Sequence, residues 1–199
     1  LKAYTLFSPE EAADIASALK YRGWAPGQAS KAKAVTKHNE EFRDDALCGK
    51  VLDRVRASPI PKAHFVSEFS PPKFNRYRDG GEYAVHIDAA AIRQVRTDLA
   101  ATVFLTDDYE GGELEIDGQS IRLPAGHALV YDCWRPHRVR PVTSGERIAC
   151  IFWMQSHIRS DEQRDLLNML HSVIADETNE EKFAKLGCVH AKLTKMWWS

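Results

Sequence analysis

His86 and Asp88 stand two positions apart in YAVHID, and after a gap of about fifty residues comes His137, followed ten residues on by Arg147. Two imidazoles and one carboxylate can grip an iron(II) ion on one face and leave the opposite face open, the arrangement that oxygen chemistry at a non-haem iron needs. Arg147 is the charge that enters the apolar run IACIFWM. A guanidinium so placed requires an anionic partner, which a dicarboxylate cosubstrate would supply and an internal Asp or Glu would supply equally. For His86 and Asp88 the plain structural alternative is a core histidine hydrogen-bonded to a nearby aspartate. His38-Asn39-Glu40 has the same two-residue spacing, but it lies in a polar, Lys-rich stretch without a strand pattern and is not expected to bind metal.

These groups must be positioned by strands. Residues 83 to 88 read as extended, which puts Ala84, His86 and Asp88 on one face and leaves Tyr83, Val85 and Ile87 to pack on the other. From His137 the chain reads as a strand, a turn at Thr143-Ser144-Gly145 and a second strand from Arg147, a hairpin that would bring the histidine and the arginine into one cavity. Along that second strand Arg147, Ala149, Ile151 and Trp153 share one face and Ile148, Cys150, Phe152 and Met154 the other, so both faces are expected to be buried.

Around them, short extended runs follow one another from AHFVSEF to RIACIFW, and so many closely spaced strands suggest a jelly roll. The tightest local expectation is a hairpin at Asp117-Gly118, flanked by Leu114 and Ile116 on one side and Ile121 and Leu123 on the other. Ser8-Pro9-Glu10-Glu11 has the form of a capping box, with Ala12, Ile15, Ala16 and Leu19 at helical spacing and Gly23 as the expected stop. A second helix is expected through Leu47, Val51, Leu52 and Val55 before Ser58-Pro59. Both should pack outside the sheet. Ser160 opens a C-terminal amphipathic helix whose stripe, Leu166, Leu167, Leu170, Val173 and Ile174, reads as core. The segment ending KMWWS gives no clear pattern, and Trp197 and Trp198 could cover an apolar patch or meet another subunit.

The runs FNRYRDGGEYAVHID, RTDLAATVFLTDDYEGGELEI and PAGHALVYDCWRPHRVRPVTSGERIACIFWMQSHIRSD together resemble the iron(II)- and 2-oxoglutarate-dependent dioxygenases, and more narrowly the prolyl 4-hydroxylase-like, PKHD-type hydroxylases. The resemblance covers about residues 63 to 165. It implies a mainly β fold with flanking α-helices, a double-stranded β-helix (a cupin-like jelly roll). It places the iron ligands on His86, Asp88 and His137, with Arg147 as the salt-bridge partner of the far carboxylate of 2-oxoglutarate and Tyr77 as its hydrogen-bond donor. Leu114, Val139 and Trp153 fall on positions lining the cosubstrate pocket, and Tyr83 on an aromatic position at its mouth, where substrate binds. Animal relatives carry a second tyrosine on the strand LAATVFL, and the matching position here is Val103. Asp88 argues against the halogenating members, which have a small residue in its place.

The implied reaction couples oxidative decarboxylation of 2-oxoglutarate to succinate with hydroxylation of a C–H bond, using Fe(II) and O2, with ascorbate as a further reductant. The implied substrate is a proline residue of a protein; another side chain or a free amino acid is the alternative. Outside this class stand a cupin-like enzyme using zinc or manganese and a metal-free jelly-roll binding module.

The 199 residues, 44% hydrophobic, suffice for one domain over residues 1–199: N-terminal helices at about 8–58, a jelly-roll core at about 63–155, then a C-terminal helix at about 160–176 and a tail. Four cysteines with no C-x-x-C pair suggest reduced thiols and a cytoplasmic setting, and no signal peptide or membrane span is expected. A net charge of −1 with mixed signs indicates no nucleic-acid surface, and Lys31, Lys33 and Lys37 read as a solvated loop.

Overall fold

A computed structural model of the chain describes residues 1–27 and 35–199. Antiparallel strands form two main sheets. The path of the larger, eight-stranded sheet runs Lys2–Thr5, His127–Asp132, Leu99–Phe104, Arg147–Ser156, Lys73–Tyr77, Glu40–Phe42, Ala25–Pro26, and Val66–Phe69 pairs with the far end of Arg147–Ser156. The smaller sheet orders Gln119–Ile121, Leu114–Ile116, His137–Val139, Glu82–His86, Lys37–His38. This is the expected double-stranded β-helix with flanking helices.

Side-chain alternation decides what each face of the larger sheet does. Leu99, Ala101 and Val103, with Ile148, Cys150, Phe152 and Met154 of the neighbouring strand, join one core with Ala12, Ile15, Leu19, Val51 and Val55 of the N-terminal helices. Ala100, Phe104 and Tyr131 point the other way, into a second core between the sheets with Tyr77, Leu114 and Val139. Helices α1 (Pro9–Leu19) and α2 (Asp45–Arg56) thus back the large sheet and leave its opposite face to line a cavity. Val103 belongs to the helix-side core, so it is not a cavity position; a residue there meets α-helical side chains, and Ala100 and Thr102 face the cavity instead.

Local chemistry sets several boundaries. The capping box of α1 is complete: the Glu11 N–H donates to Ser8 Oγ at 3.2 Å and the Ser8 N–H to Glu11 Oε2 at 2.9 Å. The helix stops at Leu19, before Gly23, which therefore does not cap it. Asp44 caps α2 through the Leu47 N–H at 2.9 Å. A single turn, α3 (Ile60–Ala63), follows. Asp117 and Gly118 adopt φ of 50° and 79° between paired strands, the tight hairpin that the sequence demands.

Five expectations need correcting. His38 lies in the edge strand Lys37–His38 of the small sheet and Glu40 in the strand Glu40–Phe42 of the large one, where it accepts from Arg76 at 2.8 Å. Lys37 is no loop residue; its side chain is 5% exposed, while Lys31 and Lys33 lie outside the described residues. Val85 and Ile87 are exposed, not packed. His137 and Arg147 are not on one hairpin, because the His137–Val139 strand pairs within the small sheet and Arg147–Ser156 within the large one. Along α4 (Asp161–Asp176) only Leu167 of the expected stripe is buried, whereas Leu166 and Val173 are exposed. The tail is a further helix, α5 (Glu180–Trp197), packed on α4, with Trp198 stacked on His157 at 3.9 Å between ring centroids. The four cysteines are free thiols, and no helix among the described residues is long and apolar enough to cross a membrane.

Candidate metal centre

The strand Glu82–His86 ends just before Asp88, so the first histidine is held by the small sheet and the carboxylate by the loop that follows. His137 begins the neighbouring strand and pairs directly with His86. One ligand atom from each of His86, Asp88 and His137 can be chosen so that all three lie within 4.8 Å of one another, close enough to share one ion. His137 Nε2 is 3.8 Å from Asp88 Oδ2.

Both imidazoles are oriented by the same device. His86 Nδ1 lies 2.9 Å from the Ala84 carbonyl oxygen, and His137 Nδ1 2.9 Å from that of Arg135. A carbonyl only accepts, so each Nδ1 carries a proton and donates, which turns each Nε2 toward the position a metal would take. Burial, reinforced by the His137 ring, pushes the His86 imidazole down to about 4, so it is neutral near pH 7. Burial pushes the Asp88 carboxyl up, against the opposing pull of His137 and the Trp153 indole. Asp88 Oδ2 has no hydrogen-bond partner, as expected of an oxygen reserved for a cation.

Tyr83 stacks on His86, with ring centroids 3.6 Å apart and planes at 16°. Alternation alone would put residues 83 and 86 on opposite faces. A register shift against His137–Val139 inserts one extra residue between them, and this bulge turns both rings to the same side. The resulting contact could not be read from period-two spacing.

Opposite, the large sheet presents Arg147, whose Cα partner across the ladder is Tyr77. Arg147 is 2% exposed and its guanidinium sits 5.4 Å and 5.3 Å from the ring centres of Tyr77 and Phe104. Its Nε and Nη2 are buried with no hydrogen-bond partner, and it has no ion-pair partner among the described residues. Room for it is left by Gly112 at φ 66°, where a Cβ would come within 2.7 Å of Val142 and 3.2 Å of Arg147 Cδ. Burial also drives the Tyr77 hydroxyl up to about 12, keeping it a proton donor.

One cavity of about 210 Å³ joins these groups: its wall includes His86, Asp88 and His137 on one side and Tyr77 and Arg147 on the other. Leu114, Val139, Tyr83 and Trp153 line it too, so the metal, cosubstrate and substrate candidates named from the resemblance all meet there, Val103 apart. Residues 72–155 match the 2OG-Fe(II) oxygenase superfamily. Over 96% of both chains, the protein is 35% identical to a PKHD-type hydroxylase of Bordetella pertussis and 39% identical to one of Shewanella baltica. This chain belongs to the PKHD-type hydroxylases. It is an iron(II)- and 2-oxoglutarate-dependent dioxygenase.

The fold of this hydroxylase is shared with a Pseudomonas putida prolyl-4-hydroxylase (TM-score 0.59, 18% identity, 78% of this chain and 91% of that one). It is likewise shared with a Trichoplax adhaerens prolyl hydroxylase bound to a hypoxia inducible factor fragment (TM-score 0.61, 17% identity, 83% and 86%). Sequence reading missed Tyr131, whose ring meets His137 edge-on at 5.2 Å between centroids, and the lysines Lys37 and Lys73 on the cavity wall. Tyr131 had a signal: it follows Leu129 at strand spacing in HALVYD and pairs with Ala100, a residue of the cavity face.

Proposed function

We propose that this hydroxylase acts on a proline residue of a protein substrate, with His86, Asp88 and His137 holding the iron and Arg147 and Tyr77 holding the far carboxylate of 2-oxoglutarate. The observation that carries the cosubstrate assignment is the buried Arg147 guanidinium, which lines the same cavity as the three ligands and has Nε and Nη2 without partners. A dianionic ligand spanning the cavity would satisfy it, and Tyr77 beside it would add a neutral hydrogen bond.

Held by these residues, iron(II) would supply oxygen chemistry in which O2 takes two electrons from 2-oxoglutarate, giving succinate and carbon dioxide, and two from a C–H bond, which becomes C–OH. The chain's own residues orient and enclose. His86 and His137 present fixed Nε2 atoms, Asp88 contributes one negative charge, and Leu114, Val139 and Trp153 exclude water around the cosubstrate. Tyr83, stacked on His86 at the cavity wall with Lys37 Nζ 4.8 Å from its ring centre, is the aromatic residue placed to meet the substrate. Ascorbate belongs to the same proposal as an auxiliary reductant.

The proline assignment draws on the structural neighbours, among them two prolyl hydroxylases, and on membership among PKHD-type hydroxylases. Mass spectrometry of proteins incubated with enzyme, iron(II), 2-oxoglutarate and oxygen tests it. The expected result is proline heavier by one oxygen, lost in His137→Ala. Turnover of free amino acids with no modified protein would overturn it, as would oxygen on another side chain.

A further inference from the structure

Beside the metal cavity runs a second groove of about 380 Å³ that shares Lys73, Ile92 and Trp153 with it, so the two adjoin at these residues. The apolar part of its lining is Phe42, Pro71, Pro72, Ile92 and Trp153, surfaces suited to an extended backbone. Its charges are unbalanced: Arg43, Lys73 and Arg93 face Glu41.

Glu41 is already occupied. Lys37 Nζ, from the cavity, and Lys73 Nζ, from the shared rim, approach the same Glu41 oxygen at 2.5 Å and 2.7 Å. Burial works to raise this carboxyl, yet hydrogen bonds from the two lysines hold it below its ordinary value. Lys37 and Lys73 thus share this one carboxylate, and Asp88 acts on both from the metal side. Arg43 has an exposed partner, Asp45, at 3.2 Å, which solvent and salt weaken. Arg93 has no ion-pair partner among the described residues. It sits at the tip of a hairpin, Ala91–Ile92 against Val95–Arg96, in the left-handed region at φ 55°. The hairpin's base is pinned by Arg96 to Asp98 at 2.8 Å and to the Ser156 carbonyl at 2.8 Å, which holds that tip over the groove.

We infer that this groove receives the polypeptide on one side of the target residue and that Lys73 and Arg93 select an acidic side chain there. The inference rests on the protein-substrate reading above and adds a sequence preference to it. Lys73 is the specificity determinant nearest the metal, and Arg93 the outer one.

The test uses fluorescein-labelled synthetic peptides with one proline and Glu, Gln or Lys placed in turn at each of the neighbouring positions. Binding is read by anisotropy with 2-oxoglutarate in the absence of oxygen, and hydroxylation by mass spectrometry. At one or more positions on one side of proline, Glu should exceed Gln by about tenfold, the factor that one well-placed charge pair supplies, and added salt should erode the gap. Arg93→Glu, at an exposed tip, and Lys73→Glu should shift the preference toward Lys, with thermal unfolding confirming intact folding. Equal ranking of Glu, Gln and Lys in the unaltered protein, or an unchanged ranking in both variants, overturns the inference. Proline hydroxylation without ranking sinks this inference alone. Ranked binding without hydroxylated proline sinks the proline assignment and keeps the groove, and neither result sinks both.

Discussion

Two arginines are buried almost equally and live in opposite circumstances. Arg164 is 3% exposed and satisfied: it ion-pairs with Asp132, and its Nη1 donates to the carbonyls of Ile158 at 2.7 Å and Arg159 at 2.9 Å. Arg147 is 2% exposed with Nε and Nη2 unanswered. A folded chain tolerates the second situation only where something from outside completes it, since an unpaired buried charge costs several kcal/mol. Thus Arg164 ties α4 to the large sheet, whereas Arg147 is the group that, in the function proposed above, a carboxylate of 2-oxoglutarate completes.

The contrast is broken most severely at the metal. His86→Ala, Asp88→Ala and His137→Ala should each leave the fold intact and reduce succinate formation to background, with iron affinity measured by calorimetry falling in parallel. Unchanged affinity in all three would remove the reason for Arg147 to be where it is. A His38→Ala control should retain full activity.

Exchanging the two arginines sharpens the difference. Arg164→Ala should lower stability by up to about 3 to 5 kcal/mol, because Asp132 keeps only Arg135 at 3.6 Å and the Ile158 and Arg159 carbonyls lose their donor, while 2-oxoglutarate affinity is retained. Arg147→Ala should do the reverse, weakening 2-oxoglutarate binding by about 2 to 5 kcal/mol with little loss, or a gain, in thermal stability. If both variants lose only stability, Arg147 is structural after all.

A pH titration probes neutral buried groups by the same logic. Burial depresses both His64 and His86 to about 4, against an ordinary 6.5. Between these values the unfolded chain takes up protons that the folded chain refuses, so stability falls as pH drops from about 6.5 toward 4, by up to about 3 kcal/mol per histidine. Denaturant midpoints of the metal-free protein at several pH values would show it, and His64→Gln should flatten part of the slope. The smallest effect is expected at Tyr77→Phe: about 0.5 to 1.5 kcal/mol in 2-oxoglutarate affinity, the worth of one neutral hydrogen bond.

How far the sequence revealed this site depended on whether a feature was local. The charge entering IACIFWM, the H-x-D pair and the Asp117-Gly118 turn each express themselves within a few residues, and each is found where residue chemistry requires. What escaped was pairing at a distance. That His137 and Arg147 sit on opposing sheets follows from His137–Val139 finding Leu114–Ile116 and Glu82–His86, partners that no spacing identifies. The stacking of Tyr83 on His86 depends on one bulged residue, and the misplacement of Val103 on a parity that only the ladder fixes. Helix α5 has no buried residue, so its sequence carries no strong apolar stripe to announce it.

The twofold use of a carbonyl two residues upstream, Ala84 for His86 and Arg135 for His137, has a consequence for the acid released when a metal ion arrives. Sites built from protonated imidazoles expel hydrogen ions on loading and become slaves to ambient acidity. Here His86 is already neutral, and both Nε2 atoms are aimed before any ion enters. The heat of iron uptake near neutrality should therefore carry little contribution from His86 that varies among buffers of different ionisation enthalpy.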